Sequence, residues 1–439
     1  MGKAQRMTSD EALERSTLRK AAWRLLPLIG LGYGVSFIDR LNISFAALQM
    51  NRDLNFSATV YGLGAGLFFL SYAALEIPSN LILMRVGARR WIARIMLTWG
   101  VIAVGMMFVK TPVQFYVMRF LLGAAEAGFF PGVIYHLTFW FPASHRGRAI
   151  SRFYVAAPLG SLVMGALAGW LLGLNGRLGL AGWQWLFLVE GLPAVILSLV
   201  FLFHLPDLPD DARWLTPEEK RWLAGRLAAD RARVAAPAGH NVLKAVLDPR
   251  VLALIAANFM TLGAYYAFNL SAPEVLRTTT GLSAGRIGLL VSLGGLTGAV
   301  AMLANGWHSD RTRERYIHLA TPLLIQAIAF ALMAWTASPI VMMSAYVVAI
   351  TANFAVAGVI WTIPGEVVDP RAVGVAAAAI NGIGQVASFL MPYAWGVMKD
   401  FTGGFRTGIF SLTLPYLVAV ALVLWLRGAA RRRRAAAAA

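Results

Sequence analysis

The stretch GYGVSFIDRLNISFAAL, residues 32–48, decides how the rest of the chain is read. Asp39 and Arg40 stand side by side in it, fifteen residues beyond the preceding charge, Arg24, and their surroundings are mostly apolar or small. The run is long enough to cross a bilayer, which takes about 20 predominantly apolar residues in a helix. Ionisable side chains at that depth are costly, and they are retained chiefly where they pair or do chemistry.

The whole chain agrees with that reading. Of 439 residues, 58% are hydrophobic and only 14% charged, against roughly a quarter charged in soluble domains. Apolar runs recur along its length, and they are too long and uniform for barrel strands of about 10 residues. In lipid, only helices and closed barrels satisfy the backbone. The expectation is an all-α membrane protein of twelve transmembrane helices, at 24–46, 60–84, 91–109, 112–136, 150–173, 183–205, 251–273, 285–308, 317–336, 339–364, 372–396 and 405–426. Residues 1–23 carry no small-residue cleavage site behind a short apolar core, so the first span is expected to be uncleaved. With the N-terminus inside, thirty of the 39 Lys and Arg fall on the inner side and seven outside; Arg40 and Arg119 lie within spans. This bias predicts that both termini are cytoplasmic. It also assigns the net charge of +18 to topology and contact with anionic lipid, with no nucleic-acid partner. No cysteine is present, which removes disulfides, thiolate nucleophiles and Cys-ligated metals.

The expected organisation is a cytoplasmic N-terminal segment (1–23), a six-helix bundle (24–205), a linker (206–249), a second six-helix bundle (250–427) and a basic tail (428–439). In the linker, Thr216 as N-cap, Pro217 in the first turn and Glu219 three positions on mark a helix start. The halves repeat faintly: MRVGARRW (84–91) matches GWHSDRTRER (306–315), and RGRAIS (146–151) matches RAVGVA (371–376). Such parallel repeats belong to transporters, with the substrate near the midplane between halves. The glycines of GLGAG (62–66) and GGLTG (294–298) suit close helix packing. Pro78, Pro131, Pro158, Pro273, Pro364 and Pro392 suggest kinks or unwound turns.

Toward mid-span the acids and arginines are Asp39, Arg40, Glu76, Arg119, Glu126 and Glu190. Arg119 and Glu126 are two turns apart, on one face and roughly 10 Å apart along the axis, so each can meet a partner from the first span. Two acids and two bases would form a nearly neutral buried set. Protonating an acid frees its arginine, a bidentate site for a carboxylate, so proton and anion binding favour each other. A structural salt bridge is the plainer alternative. Glu76 and Glu190 fit either role, and Glu190 is near enough to the outer loop to be solvated. Tyr33, Tyr72, Tyr265, Tyr266, Asn269, Trp361, Asn381 and Gln385 could line the path; Asn381 and Gln385 share a helix face. Enzyme motifs are absent: there is no His-Glu-x-x-His and no Gly-x-Ser-x-Gly. His136, His145, His204, His308 and His318 read as interfacial, and neither a metal nor a cofactor is expected.

The segments FIDRLNIS, LEIPSNLILMRVGARRWIARIMLTWG, RFLLGAAEAGFFPGVIYHLTFWFP, GWQWLFLVEGLPA and LPDLPDDARWLTPEEKRWL resemble the anion:cation symporter family of the major facilitator superfamily. That family includes sialin and bacterial permeases for galactonate, tartrate and phthalate. The resemblance covers nearly the whole chain. It implies proton-driven uptake of an organic anion by alternating access, in the inner membrane, by a monomer. It implies proton coupling by Asp39 and Glu126, and substrate binding by Arg40, Arg119, Tyr72, Trp361 and Asn381. Its cytoplasmic loop pattern falls on Arg85, Gly87, Arg89 and Arg90 in the first half and Gly306, Asp310 and Arg311 in the second. Asn80 and Met84 depart from it, standing where the superfamily has Gly and Asp. No arginine lies in the seventh span, which favours a monocarboxylate such as a sugar acid or aromatic acid. A proton-coupled exporter of drugs or metabolites is the alternative.

Overall fold

The structure is a computed structural model; it describes residues 2–234, 247–367 and 373–438. The middle of the expected linker (235–246) and the start of the 371–376 loop element lie outside the described residues.

Long helices account for nearly all of it. In the first half they are α1 (Gly2–Asp53), α2 (Ala58–Val86), α3 (Ala88–Gly105), α4 (Pro112–Glu126), α5 (Phe129–Leu137), α6 (Ala143–Tyr154), α7 (Ala156–Leu172) and α8 (Gly182–His204). A surface helix, α9 (Pro217–Val234), follows. The second half holds α10 (Pro249–Asn269), α11 (Ala272–Thr280), α12 (Ala284–Thr312), α13 (Tyr316–Trp335), α14 (Pro339–Ala357), α15 (Pro364–Val367), α16 (Val373–Thr402), α17 (Arg406–Ser411) and α18 (Thr413–Ala438). Among the described residues, eleven helical segments are long and apolar enough to cross a membrane. α16, at the place of the eleventh expected span, is 30 residues long but is not one of them; Asn381, Gln385, Lys399 and Asp400 lower its hydropathy.

Several expected boundaries are corrected. The first helix does not begin at residue 24; α1 runs unbroken through the polar N-terminal segment and past Pro27. The fourth span is two helices, α4 and α5, broken at Gly128, whose φ of 90° a side chain rarely adopts. The break frees the Ala127 carbonyl, and Ser79 Oγ donates to it at 2.7 Å. The fifth, seventh and tenth spans are broken likewise, between α6 and α7, α10 and α11, and α14 and α15. Pro131, Pro158, Pro273 and Pro364 sit just after these breaks, in first turns where a missing N–H costs little. Pro78 and Pro392 instead lie inside continuous helices.

The contacts between halves concentrate at the end of the bundle away from the termini. α2 packs along α16, and α7 along α12. A Cβ on Gly62 would meet the Pro392 carbonyl, one on Gly66 the Phe389 carbonyl, and one on Gly165 the Gly288 carbonyl. Tyr61 Oη donates to Leu270 O at 2.6 Å. Asp400 accepts from the backbone N–H of Ala58 and Thr59 at 3.1 and 2.7 Å. Gly165→Leu is therefore expected to wedge α7 from α12, at a cost of about 1–3 kcal/mol. The chain has no native cysteine, so a single one placed at Ser292, beside Gly165, reports the seam: alkylation should quicken in G165L. An unchanged rate would show that the glycine contact does not hold the seam.

α9 is tied to α1. Lys20 Nζ and Ser16 Oγ donate to the Glu219 carboxylate at 2.9 and 2.8 Å, and Glu219 closes the expected capping box with Thr216. Burial alone would raise the Glu219 carboxyl, but hydrogen bonds from Lys20, the Thr216 backbone and Ser16 outweigh it and hold it below the usual carboxylate range. A depressed carboxylate adds stability above its unfolded value, and that stability is lost as pH falls through the folded value. α9 should thus stay docked at neutral pH and loosen only in acid, below the ordinary carboxylate range. Glu219→Ala should loosen it at neutral pH, by roughly 1 kcal/mol. Protease cleavage within 212–234 measures both; equal cleavage of variant and parent would remove Glu219 as the tie.

Candidate functional site: a central cavity with an ion pair on its wall

Adjacent helical residues point about 100° apart, so Asp39 and Arg40 face different surroundings. Arg40 turns to α4. Its Nη2 and Nε donate to Glu126 Oε1 at 2.6 and 2.9 Å, and Ser36 Oγ donates to the same oxygen at 2.5 Å. Glu126 is completely buried, whereas 12% of the Arg40 side chain remains accessible. That accessible part borders a cavity, and the guanidinium lies 5.0 Å from the Tyr72 ring centre and 5.6 Å from that of Phe68. Glu126 Oε2 has no hydrogen-bond partner.

Asp39 turns into the first-half bundle. Asn42 Nδ2 donates to its Oδ1 at 3.2 Å, and its Oδ2 is unpartnered. Arg119, expected to meet a carboxylate from the first span, forms no ion pair within 4 Å among the described residues. Its Nη2 donates to Ala65 O at 3.3 Å, its plane lies 4.8 Å from the Phe68 centre, and Nε and Nη1 are unpartnered. Glu190 is not solvated: it is 4% exposed and neither oxygen has a hydrogen-bond partner. Beside the one closed pair, the bundle thus holds ionisable side chains with unmet hydrogen-bonding capacity. His136, read as interfacial, is fully buried with both ring nitrogens unpartnered.

The cavity, about 150 Å³, is walled by both halves. Tyr33, Arg40 and Tyr72 face Tyr265, Trp361, Asn381 and Gln385 across it. Tyr33 stacks on Tyr154 at 5.5 Å. Asn381 Nδ2 donates to both oxygens of Glu76, at 3.1 and 3.3 Å, bridging α16 and α2 at the cavity wall. Gln385 leaves its Oε1 unpartnered. Of the residues expected to bind substrate, Arg119 and Asn269 are buried off the cavity. Sequence reasoning missed Asn258, Thr261, Gln326, Asn353, Phe130 and Tyr154, which line it. Asn258, Thr261 and Tyr265 are spaced three and four apart, a polar face on an otherwise apolar helix, and that signal could have found them. A void this size holds a benzene-sized molecule.

The loop motifs adopt different arrangements in the two halves. In the first, Arg85, Gly87, Arg89 and Arg90 surround the α2–α3 turn, and Gly87 has a φ of 95°. No carboxylate stands at Met84; instead Asp207, after α8, accepts from the Arg89 backbone at 2.8 Å. In the second, Gly306 precedes Asp310, which pairs with Arg315 at 2.5 Å, while Arg311 lies over Trp307 at 5.6 Å. Among the described residues, no cluster of His, Asp and Glu could hold a metal ion.

A family model described as Major Facilitator Superfamily matches residues 29–392. A putative tartrate transporter of Agrobacterium vitis is 42% identical over 95% of this chain and 92% of its own. A quinolone resistance transporter of Acinetobacter baumannii is 38% identical over 93% of this chain and 94% of its own. Among solved structures, the xylose transporter XylE from E. coli, in a partially occluded inward-open conformation, superposes with a TM-score of 0.71 at 15% identity, covering 93% of this chain and 98% of that one.

Proposed function

The chain belongs to the Major Facilitator Superfamily and is a multi-pass membrane transporter, not an enzyme; from that premise we propose that it takes up a small organic anion together with protons. The reading has twelve spans in two six-helix bundles (24–205 and 250–427), both termini cytoplasmic, in a bacterial inner membrane. The bundles rock about the central cavity to give alternating access.

The observation that carries this reading is the Arg40–Glu126 pair on the cavity wall. Arg40 is the only cation lining that cavity among the described residues. With Glu126 ionised, the guanidinium is engaged; with Glu126 protonated, it is free to grip a carboxylate with two parallel bonds. Asp39, buried with an unpartnered oxygen, is the second proton site, and Arg119 holds the field around it. A single accessible cation supports a monocarboxylate, and the tyrosine and amide wall suits hydroxyls or a ring: a sugar acid or aromatic acid. The seam closed away from the termini leaves the inner end as the way out.

Export remains a second reading because the quinolone resistance relative is nearly as similar as the tartrate one. The cavity of about 150 Å³ favours the smaller cargo, since pockets for drug-sized molecules run to about 300 Å³ or more. Proteoliposomes with an acidic outside are the test. They should accumulate a labelled sugar or aromatic acid, with tartrate as the dicarboxylate comparison, and collapse of the gradient should release it. Cargo driven out against the proton flow, or quinolone carried in place of acids, would overturn uptake.

A further inference from the structure

A second and larger cavity, about 1390 Å³, lies in the first half alone, between α1 and the α6–α7 segment. Its walls are apolar: Leu26, Pro27, Leu31, Ile38, Leu159 and Val163 line it. Leu31 and Leu159 are exposed there at 60% and 44%, so the trench is open along its side. Gly30, Gly34 and Gly160 line it as well, and their missing side chains deepen the groove where α1 meets Ala156.

The end nearest the termini is different. Arg15 and Arg19 reach it from α1, and Arg148 and Arg152 from α6. All four are exposed, and none makes an ion pair or hydrogen bond among the described residues. The acids there do not balance them: Glu11 and Glu14 are the two carboxylates lining that end, and Glu14 lies 3.5 Å from His145, so four arginines meet two acids. Unpaired arginines from two helices thus converge at the mouth of an apolar trench, and Trp23, 76% exposed, stands between charge and apolar wall. From Trp23 to Ile38 the helix rises about 22 Å, more than the ~15 Å half-thickness of a bilayer's hydrocarbon core.

We propose that this trench binds an anionic phospholipid from the leaflet on the side of the termini. The phosphate sits among Arg15, Arg19, Arg148 and Arg152, each offering a planar fork of donors. An acyl chain lies along Leu26, Leu31, Leu159 and Val163. Charge selects the headgroup, as in other basic pockets between membrane helices, and the apolar wall selects a lipid over a free anion. The site is separate from the central cavity: no residue lines both, although α1, α6 and α7 each contribute residues to the two.

Thermal shift and native mass spectrometry of the detergent-purified full chain test it, with phosphatidylglycerol, phosphatidylcholine and glycerol 3-phosphate as probes. Phosphatidylglycerol should bind and raise the melting temperature; phosphatidylcholine should do so at least tenfold more weakly, and glycerol 3-phosphate not at all. The variant carrying Arg15→Gln, Arg19→Gln, Arg148→Gln and Arg152→Gln should lose at least tenfold in phosphatidylglycerol affinity. Leu31→Trp, which puts an indole across the acyl-chain path and leaves every arginine in place, should lose it too. Unchanged affinity in either variant overturns the site. Equal binding of phosphatidylcholine overturns the charge selection, and equal stabilisation by glycerol 3-phosphate makes it a free-anion site.

Discussion

Glu126→Gln is expected to abolish proton-driven accumulation while leaving exchange of substrate between the two sides intact. The substitution keeps an oxygen for Ser36 and Arg40 (2.5, 2.6 and 2.9 Å in the parent) but fixes the site in its neutral form. Arg40 is then permanently available to a carboxylate, and binding no longer depends on a proton at residue 126. The accumulation ratio should fall to unity, a loss of more than tenfold, and affinity should depend less on pH than in the parent, Asp39 being still present. Counterflow in proteoliposomes, which needs no net proton movement, should persist. Asp39→Asn is the companion variant. Should both accumulate substrate as the parent does, proton coupling lies elsewhere and the ion pair is a structural bridge.

The second large effect concerns the cation. Arg40→Lys preserves charge and is nonetheless expected to weaken substrate binding by tenfold or more, about 1.4 kcal/mol. The guanidinium is planar and lies over the Tyr72 and Phe68 rings, at 5.0 and 5.6 Å. From there it can meet two carboxylate oxygens at once, whereas an ammonium is a compact, strongly hydrated point charge on a flexible stem. The lysine is also expected to hold Glu126 less well, because a single nitrogen replaces the Nε and Nη2 that both donate to Oε1. Titrating the purified variant with the transported acid measures the loss directly. Parent-like affinity in that variant would rule out a bidentate contact, and with it the anion site placed at Arg40.

Membrane class and most spans were legible because hydropathy and charge are local properties. A run such as GLGYGVSFIDRLNISF needs no partner to read as a span. The family segments were legible too, and the family model matches residues 29–392. Breaks were harder. Pro131, Pro158, Pro273 and Pro364 flagged weak points, but a proline permits a break without requiring one, as the continuous helices at Pro78 and Pro392 show. At Gly128 the break persists because Ser79, from another helix, takes up the freed carbonyl.

The pairing of charges was the least legible feature. The sequence named the six acids and arginines well inside the spans. Only the tertiary structure joined Arg40 to Glu126 at 2.6 Å, left Arg119 against Phe68, and brought Asn381 to Glu76. It also brought Asp207 to the turn that lacks an aspartate at Met84. Sequence determines which residues the bilayer makes costly, because that cost depends on depth and type alone. Which partner offsets it depends on helix rotation and crossing, fixed here by close glycine contacts such as Gly62 on Pro392 and Gly165 on Gly288, and such contacts exist only once distant segments pack.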